Sequence, residues 1–257
     1  MIRILVTGSD GQLGKCIQKI ASSYAELEFV YYDSKMLDVT NPEQIFEVFS
    51  AERFNYCINC AAYTDVEQAE KTPEPAFAVN AEAVRHLSLA CSEFLVTLIH
   101  ISTDYVFDGE KGTPYSISDK TNPINEYGKS KLAGEKFIQK NLREHFIIRT
   151  SWLYSEFGRN FYKTILEKAK LEAVLQITDE QTGCPTNANN LAAYILDLIE
   201  KRKKTFGIHH FTDGEAMTWY DFAKRILKEN KLEKSVRLDR AKNYRTFARR
   251  PRNSILG

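Results

Sequence analysis

Tyr127 and Lys131 are the pair whose side chains and spacing suggest chemistry. Four residues apart, they stand one above the other on the same face of a helix. An ammonium beside a phenol favours the phenolate and lowers the phenol's pKa from its usual value of about 10. Such a phenol can hand a proton to a carbonyl oxygen near neutral pH. The same YxxxK spacing also describes a solvated Tyr and Lys on an exposed helix, so the surrounding elements must decide. A second hydroxyl for the same carbonyl is available from Ser102 or Thr103, at the end of an apolar run over 96–101.

The elements that would position these groups alternate in type from the first residues. Arg3-Ile4-Leu5-Val6-Thr7 reads as a strand buried on both faces. It leads into Gly8-Ser9-Asp10-Gly11-Gln12-Leu13-Gly14, and 15–24 reads as a helix. Strand, glycine turn and helix in that order form a dinucleotide fingerprint, with the pyrophosphate at the helix N-terminus. The spacing is GxxGxxG, and a tight turn alone also explains Gly8 and Gly11. A second strand over 28–32 ends at Asp33, where an acid usually bonds the adenosine ribose and disfavours a 2′-phosphate. Lys35 offsets that repulsion, so the cofactor stays open between NADH and NADPH. A plain turn residue is the other reading of Asp33.

A third strand over 56–60 runs into Ala61-Ala62-Tyr63-Thr64-Asp65, whose small residues let backbone lie close to a flat ligand. A short helix over 66–71 and a longer one over 75–94 follow, the second carrying Asn80 among apolar neighbours. Asn80 either bridges to a neighbouring strand or faces solvent. The fourth strand, 96–101, releases Ser102-Thr103-Asp104-Tyr105-Val106-Phe107-Asp108-Gly109 at its C-terminal end, the edge where open α/β sheets bind ligands. Residues 109–125 are turn-rich and read as a surface loop over the site. The Tyr127 helix then runs to about 141, and 146–149 is the next strand.

The expected fold is α/β: a Rossmann-type doubly wound parallel sheet over 1–150, with 151–257 mainly a smaller substrate-binding lobe. Helices over 160–170, 190–201 and 218–230 and strands near 174–177 and 207–211 are expected there, some segments returning to the sheet. A net charge of +1 gives no bulk attraction to nucleic acid or an anionic membrane. No apolar run approaches the ~20 residues that span a bilayer. The run over 2–6 is too short for a signal-peptide core. Five cysteines without framework spacing suit a reducing cytoplasm, the expected location. Cys57 and Cys60 match CxxC but lie in a strand-like run, so they read as core residues and no metal is expected. His209-His210 likewise reads as structural. From Arg237 to Arg252, seven Lys/Arg (237, 240, 242, 245, 249, 250 and 252) face one acid, Asp239. That run is either a solvated face or a patch for a compact dianion such as a diphosphate.

The ordered set GSDGQLG (8–14), CAAYTDVEQAE (60–70), STDYVFDG (102–109), YGKSK (127–131), RTSWLYS (149–155), GRNF (158–161), QTGCPT (181–186) and ARRPRNS (248–254) resembles the dTDP-4-dehydrorhamnose reductase family, within the extended short-chain dehydrogenase/reductases. The blocks span almost the whole chain and are specific as a set. The resemblance implies reduction of the 4-keto group of dTDP-4-dehydrorhamnose for surface polysaccharide. Thr103, Tyr127 and Lys131 would be the catalytic triad: Tyr127 protonates O4, Lys131 lowers the Tyr127 pKa and holds the nicotinamide ribose, and Thr103 fixes the carbonyl. Gly8, Gly11, Gln12, Leu13, Gly14, Asp33, Asp38, Ala61, Ala62, Tyr63 and Asn80 would line the dinucleotide, together with Tyr127 and Lys131. Thr64, Val66, Thr103, Asp104, Tyr105, Phe107 and Trp152 would meet the sugar nucleotide, with Asn160 and Arg250 at its diphosphate. Some family members bind magnesium at a dimer interface, but no matching acidic cluster is seen, so neither metal nor dimer carries over. Monomer and homodimer both stay open. The family typically continues for one more short helix, so the chain looks cut short at Gly257.

Two other activities are compatible with this pattern. A nucleotide-sugar dehydratase or epimerase shares fold and cofactor, but a dehydratase needs an Asp-Glu pair where this chain has Asp104-Tyr105. A non-catalytic regulatory subunit of methionine adenosyltransferase shares the fold too, and the intact Thr103, Tyr127 and Lys131 argue against it.

Overall fold

The computed structural model describes residues 1–241 and 245–257; Lys242 of the basic run lies outside them. In chain order the main elements begin with β1 (Ile2–Thr7), α1 (Gln12–Ile20), β2 (Leu27–Tyr32), α2 (Pro42–Ala51), β3 (Tyr56–Asn59) and α3 (Val66–Lys71). Next come α4 (Glu74–Phe77), a π-helical turn (Ala78–Glu82), α5 (Ala83–Glu93), β4 (Thr97–Thr103), α6 (Glu126–Asn141), β5 (His145–Thr150) and β6 (Leu153–Tyr154). The last part holds α7 (Phe161–Ala169), β7 (Val174–Ile177), β8 (Thr182–Gly183), β9 (Thr186–Asn187), α8 (Ala188–Glu200), β10 (Gly207–His210), β11 (Met217–Thr218), α9 (Trp219–Glu229) and β12 (Arg237–Arg240).

The central sheet has strand order β10-β5-β4-β3-β1-β2 and every pair in it is parallel. Its strands alternate between two cores, as a sheet covered on both faces must. Ile4, Val6, Ile58, Ile99 and Ile148 pack with Leu13 and Ile17 of α1 and Leu191 and Ile195 of α8. Leu5, Cys57, Leu98 and Ile147 pack on the other side with Ile45 and Phe49 of α2, Leu87 of α5 and Ile138 of α6. Chain order reverses around β1, flanked by β2 and β3, so the crevice for a ligand opens beyond the ends of β1 and β3. Gly8 and the Cys60-Ala61 backbone cross there so closely that a Cβ on Gly8 would stand 2.6 Å from the Ala61 nitrogen.

Residues 151–257 divide between two places. α8 and β10 complete the sheet, whereas α7, β7, α9 and β12 enclose a separate core of Ile165, Leu175, Phe222, Ile226 and Leu227. The expected helix over 75–94 is interrupted by the π turn, at Asn80. Cys57 faces one core while Cys60 packs against the other, which separates the two thiols of the CxxC.

Candidate active site

The site is assembled where β4 ends and α6 begins. β4 runs two residues further than the apolar run predicts and carries Ser102 and Thr103 to the sheet edge. Asn125 caps α6: its Oδ1 accepts from the Gly128 N–H at 2.7 Å and its Nδ2 donates to the Arg249 carbonyl at 2.8 Å. The helix start lies hard against the chain leaving β4, because a Cβ on Gly128 would collide with the Tyr105 carbonyl oxygen. This contact sets Tyr127 across from Thr103. Burial pushes the Tyr127 phenol well above its ordinary pKa, with the Thr103 hydroxyl pulling the other way and Asp104 and Tyr105 adding to the rise. The Tyr105 ring meets the Tyr127 ring edge-on at 5.9 Å.

Lys131 is 2% exposed, and its Nζ donates to the Ile101 carbonyl of β4 at 2.6 Å. Burial lowers its pKa to about 8, against an opposing pull from Glu135. The expectation that this ammonium lowers the Tyr127 pKa is therefore corrected: helical spacing does place both on one face, but the lysine stem runs to a strand carbonyl and the phenol's pKa is raised by burial. Glu135 lies one turn on, held by both arms of Arg149 (3.0 and 2.7 Å) and by the Ser102 hydroxyl at 2.5 Å. Ser102 is thereby turned into this pair, leaving Thr103 as the hydroxyl at the phenol. Asp104 is 2% exposed and burial raises its carboxyl to about 7, with the Ser254 and Thr103 hydroxyls pulling the other way; Oδ1 accepts from the Thr103 hydroxyl at 3.0 Å.

The glycine loop closes on itself through Gly11 N–H to the Gly8 carbonyl, and Gly11 begins α1 without a side-chain cap. α2, α3, α6, α7, α8 and α9 each start on a side chain that accepts a first-turn N–H. α1 instead leaves those donors free at the crevice, which fits a diphosphate. Gln12 and Gly14 lie in its first turn, and Leu13 is buried beneath it. Asp33 and Asp38 end the neighbouring β2 side, each folding its carboxylate onto nearby backbone: Asp33 onto Lys35 and Met36, Asp38 onto Thr40. Ala61, Ala62, Tyr63 and Thr64 form the loop after β3, and Val66 opens α3. Asn80 clamps that loop, accepting from Tyr63 N–H and donating to Tyr63 carbonyl, both at 2.9 Å, and donating to Ser130 of α6 at 3.0 Å. It acts as a bridge to the loop and α6.

Several expected substrate contacts are differently employed. Phe107 is 0% exposed, stacked on Tyr115 at 4.2 Å in a small core with Leu132 and Leu256, so it supports the site from behind. Asn160 is the cap of α7, and its amide donates to Gln12, Ser155 and Phe157, tying that helix to the glycine loop. Trp152 has φ of +48° and lies flat on Trp219 at 3.5 Å, as part of the lobe's packing. Arg250 donates to Glu67 of α3 at 2.9 Å and to the Tyr105 hydroxyl at 3.3 Å. Within the basic run, Arg237 pairs with Asp239 and Arg240 with Asp179, while Arg250 pairs with Glu67. A cavity of about 370 Å³ lined by Met1, Tyr56, Thr97 and Arg202 lies at the opposite, N-terminal edge of the sheet and holds none of these residues.

The family described as RmlD substrate binding domain matches residues 2–257. A dTDP-4-dehydrorhamnose reductase from Aggregatibacter actinomycetemcomitans is 38% identical over all of this chain and 90% of its own. The chain belongs to the dTDP-4-dehydrorhamnose reductase family. Among solved structures, the family's Bacillus anthracis enzyme in complex with NADP superposes with a TM-score of 0.96 at 35% identity, over 100% of this chain and 91% of that one. The Clostridium acetobutylicum member gives 0.95 at 35%, over 100% and 90%.

For a dTDP-4-dehydrorhamnose reductase family member, sequence reasoning left out Asn59, His100, Asn125 and Glu135, which hold the site's residues in place. A signal existed for three of them: Asn125 stands three residues before Gly128 as a cap should, and Asn59 and His100 are polar interruptions of apolar strand runs.

Proposed function

We propose that the chain reduces the 4-keto group of dTDP-4-dehydrorhamnose to give dTDP-rhamnose, in the cytoplasm and for surface polysaccharide, with NADPH or NADH as reductant. The observation that carries this reading is the Thr103 hydroxyl set against the Tyr127 phenol at the ligand edge of a family fold that spans residues 2–257. A reduced nicotinamide held by Lys131 and the glycine loop would supply the hydride for C4, which leaves the carbonyl electron pair on O4. Tyr127 gives its proton to that oxygen. Its raised pKa keeps the phenol loaded across the working range, and the Thr103 hydroxyl holds the carbonyl in line. Lys131 holds the ribose beside Tyr127, and the free N–H groups of α1 receive the diphosphate. The sugar nucleotide lies between the end of β4 and the lobe built on α7 and α9, with Arg250 drawn from Glu67 toward its phosphates.

A panel of nucleotide-4-keto-sugars assayed with each reduced cofactor tests the reading. Oxidation of the cofactor with dTDP-4-dehydrorhamnose supports it. No oxidation with any of them rejects it, and cofactor that stays bound through dialysis would favour a dehydratase or epimerase.

A further inference from the structure

Behind the site, Thr7, Asn59 and His100 form a buried polar line from the ends of β1 and β3 to the middle of β4 that reaches Lys131. The reaction as described uses none of the three. Their hydrogen bonds can be oriented from one unambiguous donor. The Ala61 backbone N–H reaches Asn59 Oδ1 at 3.2 Å, and an N–H only donates, so that end of the amide is oxygen. The Thr7 hydroxyl donates to the same oxygen at 2.7 Å. Asn59 Nδ2 therefore faces His100 Nδ1, 3.1 Å away, as a donor, and Nδ1 must accept. A neutral imidazole that accepts at Nδ1 carries its proton on Nε2. His100 Nε2 stands 3.4 Å from Lys131 Nζ. An ammonium there meets a donor with a donor, whereas a neutral amine offers a lone pair.

We propose that His100 is a positioning residue: locked as the Nε2–H tautomer by Asn59 and the Ala61 amide, it donates to the Lys131 nitrogen and makes that lysine a titrating group. This rests on Lys131 belonging to the active site. The surrounding charges agree. Glu135, on the same helix, is the acid that acts on Lys131, and Arg149 of β5 and Ser102 of β4 already engage its carboxylate. Tyr127, also on that helix, is held neutral, with Asp104 and Tyr105 facing it from beyond β4. His100 is fully buried, and burial together with Lys131 holds it far below the ordinary imidazole pKa, so it is uncharged. Because Ala61 lies against Gly8 at the crevice, the line also couples the dinucleotide loop to the lysine.

Asn59→Asp tests the line with almost no change of shape. A carboxylate facing Nδ1 can only accept a hydrogen bond, so the ring proton moves from Nε2 to Nδ1, and Nε2 becomes an acceptor for the ammonium. Nitrogen NMR of labelled histidine should find the proton on Nε2 in the unsubstituted protein and on Nδ1 in the variant. Carbon NMR of labelled lysine should find the Lys131 midpoint raised in the variant by about one pH unit or more. A proton on Nδ1 in the unsubstituted protein overturns the proposal, as does a tautomer switch with the lysine midpoint unmoved. If the variant does not fold, the tautomer of the unsubstituted protein decides alone. Both readings are independent of turnover, so an inactive protein would reject the reductase reading and leave this test standing.

Discussion

Tyr127 carries the proton in this account, and its removal has a size. Tyr127→Phe keeps the ring against Tyr105 and deletes the hydroxyl, so kcat should fall ~10²–10⁴-fold while the fold is kept. Steady-state kinetics with intact near-ultraviolet dichroism checks this, and near-normal kcat would unseat the residue. Asp104, beside Thr103, contributes a pH dependence to stability. Its folded-state pKa is raised from 3.8 to about 7, so the fold prefers the protonated form. The stability it contributes is whole below about pH 4 and is lost as pH rises through about 7, a change on the order of a few kcal/mol. Asp104→Asn should flatten that window in urea unfolding at a series of pH values; an unchanged pH slope would contradict it. At this scale the gathering of Thr103, Tyr127 and Lys131 at one sheet edge was legible, because groups meant to meet come in spaced sets. Phe107 was not, because an aromatic within a motif block looks the same whether it faces a ligand or stacks on Tyr115 beneath it.

The elements hold these residues through close backbone approaches and one buried ion pair. A Cβ at Gly128 would meet the Tyr105 carbonyl and, beside it, the Pro123 side chain, so Gly128→Ala should shift the first turn of α6 and Tyr127 with it. We expect a loss of ~1–3 kcal/mol in urea unfolding together with a lower kcat. An alanine variant with parental stability and rate would show that the contact yields freely. Arg149 and Glu135 join β5 to α6 at 3% and 1% side-chain exposure. Arg149→Met leaves the acid buried with the Ser102 hydroxyl but without its guanidinium, and should cost about 3–5 kcal/mol by the same measurement. Strand and helix order could be read from the chain, since period and turn residues are local. The π turn at Asn80 could not, because the side chain there bonds to Tyr63, seventeen residues away.

Across the whole molecule, one parallel sheet with a core on each face stands beside a third core built by α7, β7, α9 and β12. The sheet is continuous from β2 to β10, although β10 comes from the last fifth of the chain. Its alternation between two cores made the α/β class readable, while the two-residue strands β6, β8, β9 and β11 carry too little pattern to see. Arg250 reaches across from the C-terminal segment to Glu67 and Tyr105, so Arg250→Ala should raise KM for the sugar nucleotide with a smaller effect on kcat. A fall in kcat at constant KM would contradict that. The central claim, direct hydride delivery to the sugar's C4, is tested most directly with reduced nicotinamide deuterated at its transferring position. The account predicts one deuterium at C4 of dTDP-rhamnose for each cofactor oxidised, and product without label at C4 would contradict it.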